Sequence, residues 1–342
     1  MGIYINGIGL ISPQETRDNN DFLSENIPLE QSYFHISEPP YKEYINPREL
    51  RRMSKIIRNG IISAKIALAD AKIEMPEAII TGTGLGCAID TEKFLIKMIE
   101  NEESLLTPTS FIQSTHNTLG GSIAIGLGCH EYNMTYVHRG LSFETALLDA
   151  QLMMQAGELN NALVGGFDEM TDNHILLLQQ TEMYQPGAAV AGQASGFFAL
   201  ETIKRDNSYA ELIELDSIYN PDDAFQEIGS KMSALKRKYP ITDENTVVIM
   251  GYNGVQKETF VYNGIMNSIF PTNMVTHFKH LCGEFYTASA FAFWMAAQML
   301  KKQIIPDVVH YNYQKVPGKI EYVLIYNQFQ EKEHSIILLK KC

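Results

Sequence analysis

Short apolar segments typical of β-strands alternate with helical patterns along this chain of 342 residues, and the alternation occurs twice. The first round begins with a strand pattern at residues 3–10 and the second with one at 210–218. Strands that alternate with helices are typical of mainly parallel sheets that are covered by helices. The sequence therefore predicts an α/β protein of two duplicated halves, residues 1–203 and 204–342.

Individual elements follow from the spacing of apolar residues. Apolar side chains recur at helical spacing over residues 48–73, which predicts one long helix there. A short strand is predicted at 134–137, and an apolar helix follows at 141–155. The glycine-rich segment 82–86 lacks the Gly-Lys-Ser/Thr ending of a phosphate-binding loop, so it is predicted to be a turn at the end of a strand.

Charge and cysteine content exclude several functions. The formal net charge is −13, whereas a nucleic-acid-binding protein needs a basic surface. No apolar run has the length of a membrane span, and the N-terminus has no signal-peptide pattern. The cysteines at 87, 129, 282 and 342 have neither CxxC nor zinc-site spacing. We therefore expect a cytoplasmic protein with reduced thiols, no metal and no cofactor.

Four segments, in this order, resemble the β-ketoacyl-ACP synthases of the thiolase fold. Residues 48–69 resemble an early helix of these enzymes, and 117–128 resemble the stretch that leads to their nucleophile. Residues 150–168 are the most specific match, with a helix that ends in glycine, a buried strand and a Gly-Gly-acid turn. Residues 279–300 resemble the segment that begins at the family's lysine. The resemblance implies a layered α-β-α-β-α fold in an acyltransferase family.

The family's catalytic residues are a cysteine and two histidines. The resemblance places the cysteine at Gly140, the first histidine at Gly251 and the second at Glu284, while the family's lysine is retained as Lys279. The family's glycine-rich gate is replaced by residues 329–333. Condensation needs a thiolate to accept the acyl chain and imidazoles to bind the malonyl thioester. The resemblance therefore implies an inactive subunit similar to a chain-length factor.

A subunit of this kind pairs with an active ketosynthase, and the resemblance implies the same partner here. The pair elongates a fatty-acid or polyketide chain, such as an aryl polyene, on an acyl carrier protein. The segment with Met134, Tyr136 and His138 resembles the strand that crosses the dimer interface in this fold. A homodimer is expected when the chain is alone.

The densest basic cluster in the sequence contains Arg48, Arg51 and Arg52. An acidic carrier protein would be repelled by a chain of net charge −13 unless the chain offers a local basic patch. The resemblance implies that this segment contributes to carrier-protein docking, where arginine suits phosphates and carboxylates. The alternative is a helix face that is merely solvated.

Two other functions remain open from the sequence alone. The first alternative is an active acyltransferase or condensing enzyme with an unrecognised nucleophile. The second is a homodimer that binds acyl thioesters. Ser142 is the nearest hydroxyl to Gly140, but it has no evident base and is predicted to be a first-turn helix hydroxyl. Lys279 and Glu284 form either a catalytic pair or, as we predict, an ion pair that fills the vacated site.

Overall fold

A computed structural model gives the three-dimensional structure of the chain and describes residues 2–23, 33–181, 188, 191–312 and 316–342. Ten strands in these residues form one sheet. The strands are β1 Tyr4–Ile11, β2 Ala78–Gly82, β3 Tyr132–Tyr136, β4 Asn161–Asp168, β5 Ala194–Glu201, β6 Ala210–Tyr219, β7 Thr246–Met250, β8 Met274–His277, β9 Tyr322–Phe329 and β10 Glu333–Lys340. The helices are α1 Tyr41–Tyr44, α2 Pro47–Leu50, α3 Lys55–Ala71, α4 Ala88–Glu100, α5 Pro108–Gln113, α6 Thr118–Leu127, α7 Ser142–Gln155, α8 Asp172–Leu178, α9 Ala224–Lys238, α10 Gln256–Ile269, α11 Lys279–Cys282 and α12 Ser289–Lys302.

The strand order shows the duplication directly. It is β3-β2-β4-β5-β1-β6-β10-β9-β7-β8, so β1 to β5 and β6 to β10 have the same internal order. In each half the second and third strands, and the second and fourth, are parallel, and the remaining pairs are antiparallel. The two halves join where β1 pairs with β6. The boundary predicted at residues 203 and 204 falls between β5 and β6, and the status of the halves as separate domains stays a prediction.

The sheet is mixed, so the prediction of mainly parallel strands is wrong. The pairs β4–β5, β5–β1, β1–β6, β6–β10 and β10–β9 are all antiparallel. The connection from β9 to β10 contains only residues 330–332, which is too short for the crossover that a parallel pair requires.

Helices separate and cover the two halves of the sheet, which gives five layers. The almost fully buried helix α12 contacts β1, β4 and β5 of the first half and β6, β9 and β10 of the second. Together with α7 it forms the central apolar core. Helices α3 and α6 pack on the outer face of the first half, and α9 and α10 on that of the second. The predicted α-β-α-β-α arrangement is therefore confirmed.

Two of the predicted elements near the proposed surfaces differ from those observed. The helix predicted at 48–73 is divided into α2 and α3, because Ser54 has extended backbone angles (φ −69°, ψ 168°) and precedes α3 as its N-cap residue. The predicted strand at 134–137 is instead β3, which ends at Tyr136, so His138 lies beyond it and precedes the 3₁₀ turn Arg139–Leu141.

The two edge strands of the sheet differ in how they are covered. The outer edge of β8 is bonded by a following segment, in which the Tyr311 N–H donates to the Val275 carbonyl oxygen at 3.0 Å. In the part of the chain that the structure describes, β3 pairs only with β2, and its outer edge has no strand partner. Open strand edges readily pair with another chain. None of the described helices has the length and apolar character to cross a membrane.

Candidate functional site

Gly140, where the resemblance places the nucleophile, is buried in the 3₁₀ turn just before α7. Its N–H donates a hydrogen bond of 2.8 Å to Glu333 Oε2. A Cβ atom at this position would lie 2.5 Å from the Cβ of Phe329 and 2.7 Å from Glu333 Oε2. Real Cβ atoms essentially never have contacts below 3.0 Å. The turn thus has room for glycine only, unless Phe329 or Glu333 moves.

The hairpin β9–β10 supplies both of the groups that cover Gly140. Phe329 is the last residue of β9 and pairs directly with Glu333, the first residue of β10. Gln330 and Glu331 between them have φ values of 53° and 60°, in the left-handed region that turns of this short hairpin use. The Phe329 ring packs against Tyr286 at 4.7 Å between ring centroids. The segment that replaces the family's gate therefore closes over Gly140.

Gly251, where the resemblance places the first histidine, directly follows β7. A Cβ here would lie 2.2 Å from Asn327 Oδ1 and 2.7 Å from the hydroxyl oxygen of Tyr262. The Tyr262 hydroxyl itself accepts a hydrogen bond from the Gln328 N–H at 2.9 Å. The space that a side chain at Gly251 would need is thus filled by side chains of α10 and β9.

Lys279 and Glu284 form the predicted ion pair, with 2.6 Å between Lys279 Nζ and Glu284 Oε2. The lysine is fully buried and the carboxylate is almost so. Lys279 Nζ also donates to the Gln328 carbonyl oxygen at 3.1 Å. The Asn253 side-chain amide lies 2.9 Å from both Glu284 Oε2 and Glu258 Oε2. Two carboxylates and one ammonium group therefore meet in this buried cluster.

The charge imbalance of this cluster affects its carboxyl groups. Burial raises the pKa of Glu284, against the opposing effect of Lys279. Burial, and then the Glu284 carboxylate, raise the pKa of Glu258 to about 7. A buried carboxyl group close to another favours its neutral form, because two like charges in a desolvated site repel. The cluster thus tends to hold a proton near neutral pH.

Ser142, the alternative nucleophile, is the first residue of α7 as predicted, and it is buried. Its Oγ lies 2.7 Å from the carbonyl oxygen of Arg139 and 2.9 Å from that of Thr83, and it accepts a hydrogen bond from the His138 N–H. Neither an imidazole nor a carboxylate is among these partners, so this hydroxyl stabilises the turn and has no base to activate it among the residues that the structure describes.

Asp168 ends the matched Gly-Gly-acid turn and organises the glycine-rich segment 82–86. Its Oδ1 accepts hydrogen bonds from the backbone N–H groups of Gly84 and Leu85, both at 2.9 Å. Its Oδ2 accepts two more from Thr287. The glycine-rich segment is therefore a strand-end turn whose amides bind a carboxylate of the chain itself, as the sequence predicted.

A narrow cleft lies beside the buried cluster. Its volume is about 30 Å³, and Glu284, Phe285, Tyr286 and Phe329 are among the residues that line it. Small-molecule sites typically have volumes of about 300 to 1,000 Å³. Between the described residues that line it, the cleft has no room for an acyl chain. No group of His, Cys, Asp or Glu side chains in the described ranges is arranged to bind a metal ion.

The structure places the other predicted residues on two separate surfaces. Arg48 lies in α2, Arg51 and Arg52 lie in the turn before α3, and all three are exposed without an ion pair among the described residues. Met134, 39% exposed, and the half-buried Tyr136 lie in the edge strand β3. His138 is exposed beyond that strand, with Nδ1 3.1 Å from the Thr145 hydroxyl oxygen.

Sequence reasoning missed the residues that fill the site. Asn253 and Glu258 lie in and after the loop that follows β7, and Asn327 lies in β9. The only signal in the sequence for this filling was the replaced gate at residues 329–333, which contains both Phe329 and Glu333.

The duplicated five-stranded halves and the buried central helix define a class of fold, the thiolase-like fold. The model of the β-ketoacyl synthase N-terminal domain matches residues 11–202, which is more than half of the chain. The chain therefore belongs to the β-ketoacyl synthase family. None of the curated proteins compared with it matches in sequence.

Solved structures with the same fold include several ketosynthases. The ishigamide ketosynthase/chain length factor matches with a TM-score of 0.80 and 15% identity. The structure of a type II PKS acyl carrier protein in complex with its ketosynthase bound to the hexaketide matches with a TM-score of 0.78 and 15% identity. A β-ketoacyl synthase from Burkholderia phymatum STM815 matches with a TM-score of 0.76 and 12% identity. Each match covers 100% of this chain and 99% of the other. At such low identity these matches show the fold alone.

Proposed function

We propose that this chain is a non-catalytic, chain-length-factor-type subunit that pairs with an active β-ketoacyl-ACP synthase in fatty-acid or polyketide chain elongation, as for aryl polyenes. The observation that carries this proposal is Gly140. It has no side chain to accept an acyl group, and Phe329 and Glu333 leave no room for one.

The other two proposed triad positions support the same function. Gly251 has no imidazole, and its surroundings are filled by Asn327 and Tyr262. Glu284 is tied to Lys279 in an ion pair. A chain that lacked only the cysteine could still decarboxylate a malonyl group, because that step needs the imidazoles. This chain lacks the imidazoles at both proposed positions as well. We propose that the isolated chain catalyses neither condensation nor decarboxylation.

The proposed partner is an active ketosynthase. One structural relative is described as a ketosynthase/chain length factor. The open edge of β3 and the partly exposed Met134 offer a surface on which a second ketosynthase-like chain can extend the sheet. Stable interfaces of this kind bury on the order of 2,000 Å² or more. We propose the same surface for a homodimer when the partner is absent.

The second proposed partner is an acyl carrier protein. Another structural relative is an acyl carrier protein in complex with its ketosynthase. Exposed Arg48, Arg51 and Arg52, which form no ion pair with any residue that the structure describes, supply positive charge, which attracts an acidic protein. We propose that the complex acts in the cytoplasm, where carrier-protein-dependent synthesis takes place.

Co-expression tests the proposed function. The chain is produced together with candidate Cys-His-His ketosynthases from the same organism, those of neighbouring genes first, and each pair is purified through a tag on one subunit only. We expect co-purification, elongation activity from the pair, and no activity from this chain alone. If the chain purified without a partner showed turnover, and Ser142→Ala abolished that turnover, the chain would instead be an active transferase with an unrecognised nucleophile.

A further inference from the structure

A cleft at the other end of the molecule is lined by basic side chains from three separate segments. It contains Lys204 and Arg205 after β5, Lys301 at the end of α12 and Lys341 after β10. We call these four residues and the space between them the basic cleft. Its volume is about 470 Å³, which is within the range of about 300 to 1,000 Å³ typical of small-molecule sites.

The pairing of β4 with β5 shows that the basic cleft lies far from the proposed ketosynthase-like centre around Gly140 and Glu284. Asp168, next to that centre, pairs with Ala194 at the start of β5. Glu201, at the end of β5 and next to the basic cleft, pairs with Asn161 at the start of β4. The two sites therefore lie at opposite ends of these strands, and the basic cleft is not part of the proposed ketosynthase-like centre.

The basic cleft has an excess of positive charge in a chain of net charge −13. Among the side chains of the residues that line it, only that of Asp206 is acidic, and the carboxylates of Glu201 and Glu211 lie beside the cleft. Lys204 and Lys341 form no ion pair within the described residues. Arg205 is paired with Glu201 at 2.6 Å, which holds its guanidinium in place. Two of the four cationic groups thus remain available for an anion.

The remaining lysine of the basic cleft is fixed by its neighbours. Lys301 Nζ lies 3.7 Å from the centroid of the Tyr209 ring and donates to the Asn207 carbonyl oxygen at 2.7 Å. Burial, and then the charge of Lys302, lower the pKa of Lys301, although Asp70 opposes this shift. Because Lys301 covers the Tyr209 ring, the cleft offers no free aromatic face on which a base could stack.

We propose that the basic cleft binds the phosphate groups of a small molecule, with Lys204 and Lys341 as principal contacts. Lysine ammonium groups bind phosphate as compact point charges. The concave shape favours a small molecule over the surface of an acidic protein. A second cleft of about 610 Å³, beside α3 and α4, does not share this charge, because its Lys55 is paired with Glu38 at 2.5 Å and Glu92, Glu169 and Asp172 also line it.

Calorimetric titration with pyrophosphate, inorganic phosphate and ADP tests the proposal. The complete chain is compared with Lys204→Ala/Lys341→Ala and with a matched control, Lys42→Ala/Lys97→Ala, which removes two exposed lysines elsewhere. We expect pyrophosphate to bind, with affinity at least about tenfold weaker in the first variant and unchanged in the control. Added salt should weaken binding, since the attraction between exposed charges is screened.

The probes also identify the source of the phosphate group. Equal binding of ADP and pyrophosphate indicates a phosphate ester, whereas binding of pyrophosphate alone indicates the free anion. Absence of binding by all three probes at millimolar concentration would overturn the proposal, and so would an equal loss in both double variants. Binding of an acidic carrier protein through Lys204 and Lys341, without binding of the phosphate probes, would show a protein-docking surface and would also overturn it.

Discussion

The carboxylate of Glu333 accepts a hydrogen bond of 2.8 Å from the backbone N–H of Gly140, although 193 positions separate the two residues. This contact joins the hairpin β9–β10 to the turn that precedes α7. Burial raises the pKa of Glu333, and the hydrogen bond from Gly140 acts against that shift. Backbone N–H groups at the start of a helix favour an anion. In this chain the anion is one of its own side chains.

Restoring a cysteine at Gly140 should not restore activity and should destabilise the fold. The new side chain would contact Phe329 and Glu333 at distances that require both to move. Overpacking of a buried site typically costs about 1–3 kcal/mol. Chemical denaturation of Gly140→Cys measures this loss, and a condensation assay of the same variant should show no turnover, because the imidazoles remain absent.

A glycine with open surroundings provides the control for this variant. Gly126 lies in α6, and a Cβ there would meet nothing within 4 Å. Gly126→Ala should therefore stabilise the helix by about 0.5–1 kcal/mol. If Gly140→Cys were as stable as the wild type, the β9–β10 hairpin would move without a measurable cost. The claim that Phe329 and Glu333 leave room only for glycine would then be wrong.

Breaking the buried ion pair should cost far more than breaking an exposed one. Lys279→Met leaves Glu284 buried without its partner, and losses of about 3–5 kcal/mol are typical of this change. Adding Glu284→Gln should recover part of the loss, since the amide oxygen can still accept from Asn253. A double-mutant cycle by chemical denaturation measures the coupling.

The exposed pair Lys319–Glu321 is the matched control for this cycle. Its side chains are 64% and 39% exposed, so Lys319→Met should change stability by less than about 1 kcal/mol. Strictly additive effects of Lys279→Met and Glu284→Gln would contradict the proposed coupling.

The contribution of Glu258 to the stability of the protein should decrease as pH rises from about 4.5 to about 7. Its pKa is about 7 in the folded chain, against an ordinary value of 4.5, mainly because of burial. In this interval the folded state holds a proton that the unfolded state has released, so the free energy of unfolding falls as pH rises. Glu258→Gln should show a smaller fall, measured by chemical denaturation at several pH values.

A difference between variants is needed because other buried groups also change stability in this interval: buried carboxyl groups act in the same direction, and His277 and His280, whose pKa values burial lowers, act in the opposite one. Burial also raises the pKa of Glu169, to about 8, and that of Asp168. The exposed Glu158→Gln serves as control and should follow the wild-type profile. If Glu258→Gln had the same pH profile as this control, Glu258 would not hold the proton.

The sequence predicted the elements with strong periodicity and missed those without it. The apolar pattern at 322–329 predicts a strand, which coincides with β9. The apolar pattern at 285–301 predicts a helix, but α12 begins only at Ser289, since residues 285–288 form a turn. Strand β8 has only four residues and was not predicted. Its pairing with β7 is a tertiary contact that no local pattern reveals.

The functional surfaces were predicted only where their residues are close in sequence. Arg48, Arg51 and Arg52 are visible as a cluster because one short segment contains them. The basic cleft was missed because Lys204, Lys301 and Lys341 come from segments that only the fold brings together. The side chains that occupy the space around Gly140 and Gly251 were missed for the same reason, since they come from β9, α10 and the β9–β10 hairpin.

Dimer formation through β3 should depend on Met134. Met134 is 39% exposed on the open edge strand, and a lysine there would place a charge within an apolar interface. We expect Met134→Lys to be a folded monomer by sedimentation velocity, at concentrations where the wild type is dimeric. Ile203→Lys, at a position 64% exposed after β5, should remain dimeric. A dimeric Met134→Lys variant would place the interface elsewhere.

Carrier-protein docking should depend on the arginines before α3. Arg51 and Arg52 are exposed and form no ion pair among the described residues, so reversing their charge should leave folding intact. Attraction between exposed charges acts over about 8 Å at physiological salt and mainly increases the rate of association. Arg51→Glu/Arg52→Glu should therefore slow elongation by the complex with its ketosynthase, with partial rescue at higher carrier-protein concentration. Lys97→Glu/Arg237→Glu changes the net charge equally, at two exposed residues that form no ion pair among the described residues, and should have no such effect. If both double variants had the wild-type dependence on carrier protein, docking would take place entirely on the partner, and this turn would be merely solvated.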